Sequence, residues 1–346
     1  MKKTLLIFFA AFVVIVGALV FYVLQDTTTA VASDRSKTLR VLAYSGFLKS
    51  WGPGQDLSKA FETKYGVHIE WIEVNNAGMI LENLRGRKLA DMPDVVVGLD
   101  LLSLPEARQM MGWMPVDTSG ISFIGELPRG AVYKDFAPFD WAPMTFIFRR
   151  GELKTPAHLD DLLRPDYANS LALQDPNSSS TGLYFLIWVL SVKGEEAGFK
   201  YLSALKPSIR IISPSWSSSY SLFQNGQAPM VFSFFTSTIY HYINEKDYRY
   251  QPVYFDDPQI YSVEYAGVPQ SCVNCELAKK FVRHVLGVDS QKILMQKNYM
   301  LPVLGGVKKG TPFDFPKTIK LIDPRHYDDL LQKKDEILKK WTDLHL

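Results

Sequence analysis

The run TLRVLAYSGF at residues 38–47 sets an apolar stretch before a polar, glycine-bearing tail. It reads as a strand that ends near Tyr44, and the segments after it decide the fold. GQDLSKAFETKYG places Leu57, Ala60, Phe61 and Tyr65 at helical spacing and stops at Gly66. VHIEWIEV then alternates, with Val67, Ile69 and Trp71 on one face. NAGMILENLRG predicts a short helix, and DVVVGLD is an unbroken apolar run of the kind a fully buried strand carries. A β-α-β-α-β order of this sort predicts a parallel sheet covered by helices on both faces. Such sheets bind ligands beyond the carboxyl ends of their strands. Here those ends are Tyr44-Ser45-Gly46, Asn75-Asn76-Ala77-Gly78 and Gly98-Leu99-Asp100, all rich in polar and small residues.

Upstream, Lys2 and Lys3 precede an apolar segment at residues 5–24, and AVAS stands at 30–33. Basic, apolar, then Ala-x-Ala is the pattern of a secretory signal cut after Ala32. The apolar segment is also long enough to span a bilayer, so an uncleaved anchor in the inner membrane stays open beside the signal peptide. Either way the body of the chain is expected in the periplasm. Downstream, FAPFDWAPMTFIFRR reads as a crossover into a second α/β unit, and the chain returns near YSVEYAGVPQ. Lys- and Glu-rich helices such as DDLLQKKDEILKKWTDL finish it. The expected division is a leader at 1–32, a discontinuous first lobe at 38–139 and 262–346, and a second lobe at 140–261, with a cleft between.

Composition narrows the function. The 346 residues are 47% hydrophobic and carry a formal charge of only +2, which speaks against a nucleic-acid binder. Six scattered histidines show no metal-ligand spacing, and two cysteines cannot build a four-ligand zinc site. Neither a metal site nor a cofactor is expected. Cys272 and Cys275, in QSCVNCELAKKF, read as a local disulfide or an inert pair. A redox C-x-x-C would need a preceding strand and a compact domain of its own.

Several stretches together resemble the thiamine-binding periplasmic proteins of ABC importers. They are YSGFLKSWGPGQDLSKAFE, DVVVGLD, FAPFDWAPMTFIF, QDPNSSSTGLYFLIW, SWSSSYSLFQNGQAPMVFSFFTSTIYH and NYMLPV. They occur in order over most of the chain beyond the leader. The resemblance implies an α/β, two-lobed type II periplasmic-binding-protein fold whose lobes close on a solute and deliver it to a membrane permease. It also implies kinship in fold with thiaminase I, an enzyme that needs a cysteine nucleophile in the cleft. Neither cysteine here lies on a strand-end loop, so no catalytic residue is expected.

The resemblance supplies a ligand-binding set. Tyr44 would stack or hydrogen-bond, with core packing as the alternative. Asn76 and Ala77 stand where relatives carry an acid followed by glycine, which removes a negative charge. Asp140 and Asp100 are the acids left to act as charge partners of a cation, with structural roles as the alternative. Ser179 and Ser180 match a hydroxyl pair at a helix start, where unpaired N–H groups suit a phosphate or polar tail. Trp216 matches a pocket tryptophan. Phe234 and Phe235 replace a tyrosine and a threonine, Thr236, Ser237 and Tyr240 are kept, and Tyr299 replaces a tryptophan. The implied ligand is thiamine or a thiamine phosphate. The same fold leaves open another small cationic solute, such as ferric ion, a polyamine or a pyrimidine, and an exported thiaminase-like enzyme.

Overall fold

The computed structural model describes residues 37–128, 130–315 and 318–346. The leader and its Ala-x-Ala site lie outside them. Strand β1 (Thr38–Tyr44) runs parallel to β2 (His68–Val74) and to β3 (Val95–Asp100), as the β-α-β-α-β order predicts. Apolar content explains the depth: every residue of β3 is buried, and Leu39, Val41, Leu42 and Ala43 of β1 have no exposed surface. Helix Gly54–Tyr65 ends where Gly66 turns left-handed at φ 65°, the conformation glycine adopts at least cost.

The second half repeats this plan. Strand β4 (Phe136–Arg149) precedes β5 (Leu171–Gln174), β6 (Ile209–Ser213) and β7 (Met230–Phe234), and β5 is parallel to both β6 and β7. Strands β8 (Tyr250–Pro252), β9 (Tyr261–Gly267) and β10 (Leu301–Pro302) complete the set. The path across the sheet is β2-β1-β3-β9-β4-β7-β5-β6, with β8 and β10 pairing to β4. Each half is therefore three parallel strands finished by one antiparallel strand, β9 in the first and β4 in the second. The parallel trios match the sequence pattern, while the antiparallel closers leave no local mark in it.

The crossover FAPFDWAPMTFIFR is a single buried strand that serves both halves. Its residues 136–143 pair with β9, and residues 144–148 pair with β7. Proline cannot donate to a ladder, so it is tolerated only at irregular places. Pro138 stands at the register shift between Pro138 and Asp140, and Pro143 stands where pairing passes from β9 to β7. The C-terminal helices Arg325–Gln332 and Lys334–Asp343 touch both halves. Lys334 reaches Glu106 in the first at 3.0 Å, while Lys340 and Lys333 reach Glu195 in the second at 2.6 and 3.4 Å. Among the described residues no helix is long and apolar enough to cross a membrane.

Candidate functional site

The strand ends and their loops meet in a closed circuit of contacts. Beginning in the first half, Ser45 donates its hydroxyl to the Asn75 carbonyl at 2.9 Å, which ties the end of β1 to the loop after β2. That loop abuts the second half. A Cβ placed on Gly78 would lie 3.6 Å from the Ser180 amide nitrogen and 3.7 Å from the Ser178 carbonyl. Ser178 in turn donates to the Pro214 carbonyl at 2.9 Å, two residues before Trp216. The Trp216 indole N–H donates to the Ser233 hydroxyl at 2.8 Å, and Ser233 hydrogen-bonds Ser237 at 2.8 Å. The short helix Ser237–Tyr240 then presents Tyr240 edge-on to Tyr299, with ring centroids 5.4 Å apart. Asn298, next to Tyr299, returns the circuit to β1 by accepting from the Tyr44 hydroxyl at 3.3 Å.

Each wall has a local cause. Tyr44 packs its ring against Gly98, where a Cβ would come within 2.5 Å of it, and Gly98 itself sits at φ 97°. A glycine there is what lets the ring lie on β3. Gly182 plays the same part for the serine loop. Its absent Cβ would lie 2.5 Å from the Gln174 carbonyl, so the loop after β5 folds directly over the first turn of helix Ser180–Lys193. First-turn N–H groups have no carbonyl four residues back, and here they open beside half-buried Ser180. Ser179 is buried and its hydroxyl bonds Thr181 at 2.9 Å. Trp216 opens its helix, capped by the Ser215 side chain accepting from Ser218. Its ring is stacked on Tyr220 at 4.9 Å and tilted toward Phe234 at 6.2 Å. Tyr299 is held at φ 53°, a rare setting for a bulky residue, and its hydroxyl accepts from the Asn244 amide at 2.6 Å.

The circuit therefore brings together Tyr44, Asn76, Ala77, Ser179, Ser180, Trp216, Phe234, Ser237, Tyr240 and Tyr299. Phe235 departs from the set. It is fully buried, with its ring edge-on to Tyr254 and Phe315 at 4.8 and 4.7 Å, because successive residues leaving β7 point to opposite sides. Thr236 is also without exposed surface, and its hydroxyl has no partner among the described residues. Asp100 is engaged in a turn, accepting from the Ser103 amide at 2.9 Å. Trp51, within the WGPG stretch, joins the rim although the resemblance does not single it out. It is 56% exposed, and its ring edge would lie 3.9 Å from a Cβ on Gly46, a position that also touches the Tyr44 ring.

Behind Tyr44 lies a buried acid group. The Tyr44 hydroxyl donates to Glu264 Oε2 at 2.9 Å, and the Asn298 amide donates to Asp140 Oδ2 at 2.7 Å. Asp140 and Glu264 face each other across β4 and β9, and Asp100 faces Glu264 across β3 and β9. Burial, with the Asp100 charge added, pushes the Glu264 carboxyl up to about 7. Burial and then the Glu264 charge push Asp140 well above the ordinary carboxylate range, and burial raises Tyr44 and Asp100 too. The sequence points to Asp140 but not to Glu264 or Asn298. A carboxylate on a buried strand facing a second one is the signal, legible only once β4 and β9 are known to pair.

Away from the circuit, Cys272 and Cys275 are joined as a disulfide. The loop between them clamps the opposite end of the sheet, where Asp94 accepts from the amides of Val273 and Asn274 just before β3 begins. Neither sulfur borders the cleft. Among the described residues no group of three or more metal-ligating side chains is assembled.

Two α/β halves sharing a strand, with an aromatic and hydroxyl-lined crevice at their strand ends, define the class of two-lobed solute receptors. The chain belongs to the bacterial extracellular solute-binding protein family, whose profile matches residues 91–331. It is 30% identical over 305 residues to the thiamine-binding periplasmic protein of Brucella suis biovar 1 (strain 1330), covering 85% of this chain and 89% of that one. It is 29% identical over 268 residues to the thiamine-binding periplasmic protein of Escherichia coli (strain K12), covering 77% and 80%. A solved periplasmic thiamin binding protein superposes with a TM-score of 0.77 at 25% identity, over 89% of this chain and 96% of that one.

Proposed function

We propose that this chain is the extracytoplasmic receptor of an ABC importer, that its cleft takes thiamine or a thiamine phosphate, and that it hands the solute to a membrane permease. The observation that carries this reading is the closed circuit of contacts from Tyr44 through Trp216 and Tyr240 to Tyr299, an aromatic box with hydroxyls at one end. A flat aminopyrimidine fits between such faces, and a thiazolium cation over an indole gains roughly 0.5–2 kcal/mol. Asn76 Oδ1 is buried and without a donor among the described residues. It suits the amino group of the pyrimidine as a neutral acceptor. A hydroxyethyl or phosphate tail would lie at Ser179 and Ser180, where helix N–H groups and the helix dipole favour an anion.

Binding rather than catalysis is the reading for the cleft, since both sulfurs are tied up at the far end of the sheet. Tyr242 donates to the Tyr250 carbonyl at 2.7 Å, which takes it out of any Tyr240–Tyr242 ferric pair. Isothermal titration with thiamine, its monophosphate and its diphosphate tests the assignment. Binding of at least one is expected, and no heat with any of them refutes it. Native mass spectrometry of the purified protein would identify a retained solute directly.

A further inference from the structure

The replacement of an acid by Asn76 leaves a cationic ligand in want of a negative partner, and the side chains that line the circuit supply none. Asp140 and Glu264 stand next, directly behind Tyr44. Asp140 has no exposed surface, and its Oδ1 finds no N–H or O–H donor among the described residues. It stands opposite Glu264 across β4 and β9. Two carboxyl groups buried together in this way disfavour double ionisation, so the pair keeps a proton between them. Asn298 bridges both, donating at 2.7 Å to Asp140 and at 3.3 Å to Glu264, and Tyr44 completes the group from the cleft side.

We propose, resting on the reading that the ligand is the thiamine cation, that the Asp140–Glu264 pair is its counter-charge and that ligand binding expels the shared proton to solvent. The step balances simply. One O–H bond of the pair breaks, its electron pair stays on the carboxylate, and the proton passes to buffer.

Titratable neighbours approach the pair from every side. From β1 comes the Tyr44 hydroxyl, itself pushed upward by burial, so it stays a donor. From β3 comes Asp100, engaged by the Ser103 amide and facing Lys334 of the C-terminal helix. Tyr184 and Tyr265, both beside Asp100, stay neutral because burial raises them as well. From β4 and β9 come the two carboxyls themselves, and the segment after helix Val288–Lys297 offers the uncharged Asn298. Among these neighbours only Lys334 is cationic, and it acts on Asp100. In the empty cleft Glu264 therefore keeps a proton up to about pH 7. A positive charge within about 4–6 Å lowers a carboxyl pKa by roughly 1–3 units. Linkage then fixes the sign: the bound form holds fewer protons, so affinity rises with pH through 7 and weakens as pH falls. Over that range of shifts the loss of affinity from pH 8 to pH 6 is about five- to tenfold.

The test is titration of the intact protein with thiamine at pH 7 in buffers of different ionisation enthalpy, with affinities measured between pH 6 and 8.5. About 0.4–0.5 proton should be released per thiamine bound at pH 7, falling toward none at the alkaline end. The isosteric double variant Asp140→Asn/Glu264→Gln should release none, lose the pH slope and bind thiamine about tenfold more weakly, or worse, at pH 8. A circular-dichroism melt confirms that it is folded. The proton count on the unaltered protein stands by itself if the variant fails to fold. Binding of thiamine without proton release overturns this inference and leaves the proposed function intact. Absence of thiamine binding at every pH overturns this inference, and it overturns the proposed function as well when neither thiamine phosphate binds.

Discussion

Gly98→Ala isolates the support of Tyr44 from every other part of the cleft. The added Cβ would lie 2.5 and 2.7 Å from two carbons of the Tyr44 ring and 3.4 Å from Ile80, at a φ of 97°. A side chain at positive φ costs about 1–2 kcal/mol, and overpacking a well-filled site costs about 1–3 kcal/mol more. The expected destabilisation is therefore roughly 2–5 kcal/mol, which at about 2 °C per kcal/mol lowers Tm by about 4–10 °C. Relief of the clash requires the Tyr44 ring to move, which withdraws its hydroxyl from Glu264 and Asn298, so thiamine affinity should fall about tenfold or more. Gly66→Ala is the matched control. Gly66 is also left-handed, at φ 65°, but its added Cβ meets nothing within 4 Å. That variant should cost about 1 kcal/mol in stability and nothing in affinity. Differential scanning calorimetry and titration calorimetry on the pair decide the matter. Equal Tm losses in the two variants, or Gly98→Ala binding like the parent, would refute the claim that β3 shapes the cleft through a missing Cβ.

The remaining predictions concern single walls of the crevice. Trp216→Ala should weaken thiamine binding about 10- to 100-fold by titration calorimetry, whereas Trp216→Phe should keep most of the affinity, since a ring face stays on Tyr220. Asn76→Asp restores a negative charge where an acceptor already waits. Affinity for thiamine above pH 7 should rise about three- to tenfold, and a fall would show that Oδ1 does not meet the ligand. Tyr299→Asn puts a residue tolerant of left-handed backbone at φ 53° while deleting the ring. Tm should hold or rise slightly as binding drops about tenfold, a split that a merely structural tyrosine would not give.

The range of each interaction decides how much of the fold and the site is legible in the sequence. The parallel trio β1, β2 and β3 is readable because alternation and helical spacing are local, and because DVVVGLD is too apolar for any exposed position. The polar strand-end loops are readable for the same reason. FAPFDWAPMTFIFRR reads as a crossover, yet its prolines do not break the chain into two pieces. One strand runs through, and Pro143 marks the point where it exchanges partners. Glu264 lies beyond such reasoning. It meets Asp140 across β9 and β4 although most of the second half separates them in the chain, and no local pattern of composition or periodicity reports a pairing at that range. Phe235 shows the opposite limit. The resemblance makes one wall of residues 234–237, but a chain leaving a strand alternates, and Phe235 has to face the core.

The buried acid pair makes stability and affinity run in opposite directions with pH. In the unfolded chain Glu264 is ionised above its ordinary value of about 4.3, whereas burial in the empty folded protein raises it to about 7. Between pH 6 and pH 8 the folded state therefore binds the proton that the unfolded state has already lost, and this group's contribution to stability falls as pH rises through that window. For one group at about 7 the loss from pH 6 to pH 8 is about 1.4 kcal/mol, or roughly 3 °C in Tm. His241 and His284 pull the other way, because burial lowers both and the folded state is the one that lacks their protons. The double variant Asp140→Asn/Glu264→Gln keeps both histidines, so the difference between its melting curves and the parent's isolates the acid pair. Without ligand, the parent's Tm should fall by about 3 °C relative to the variant's from pH 6 to pH 8. Thiamine reverses the balance, because a cation stabilises the ionised pair that burial opposes, and the parent's gain in Tm at saturating thiamine should grow over the same interval. Two curves that stay parallel across the window would show that Glu264 titrates where an exposed carboxylate does, and the counter-charge would have to be sought elsewhere.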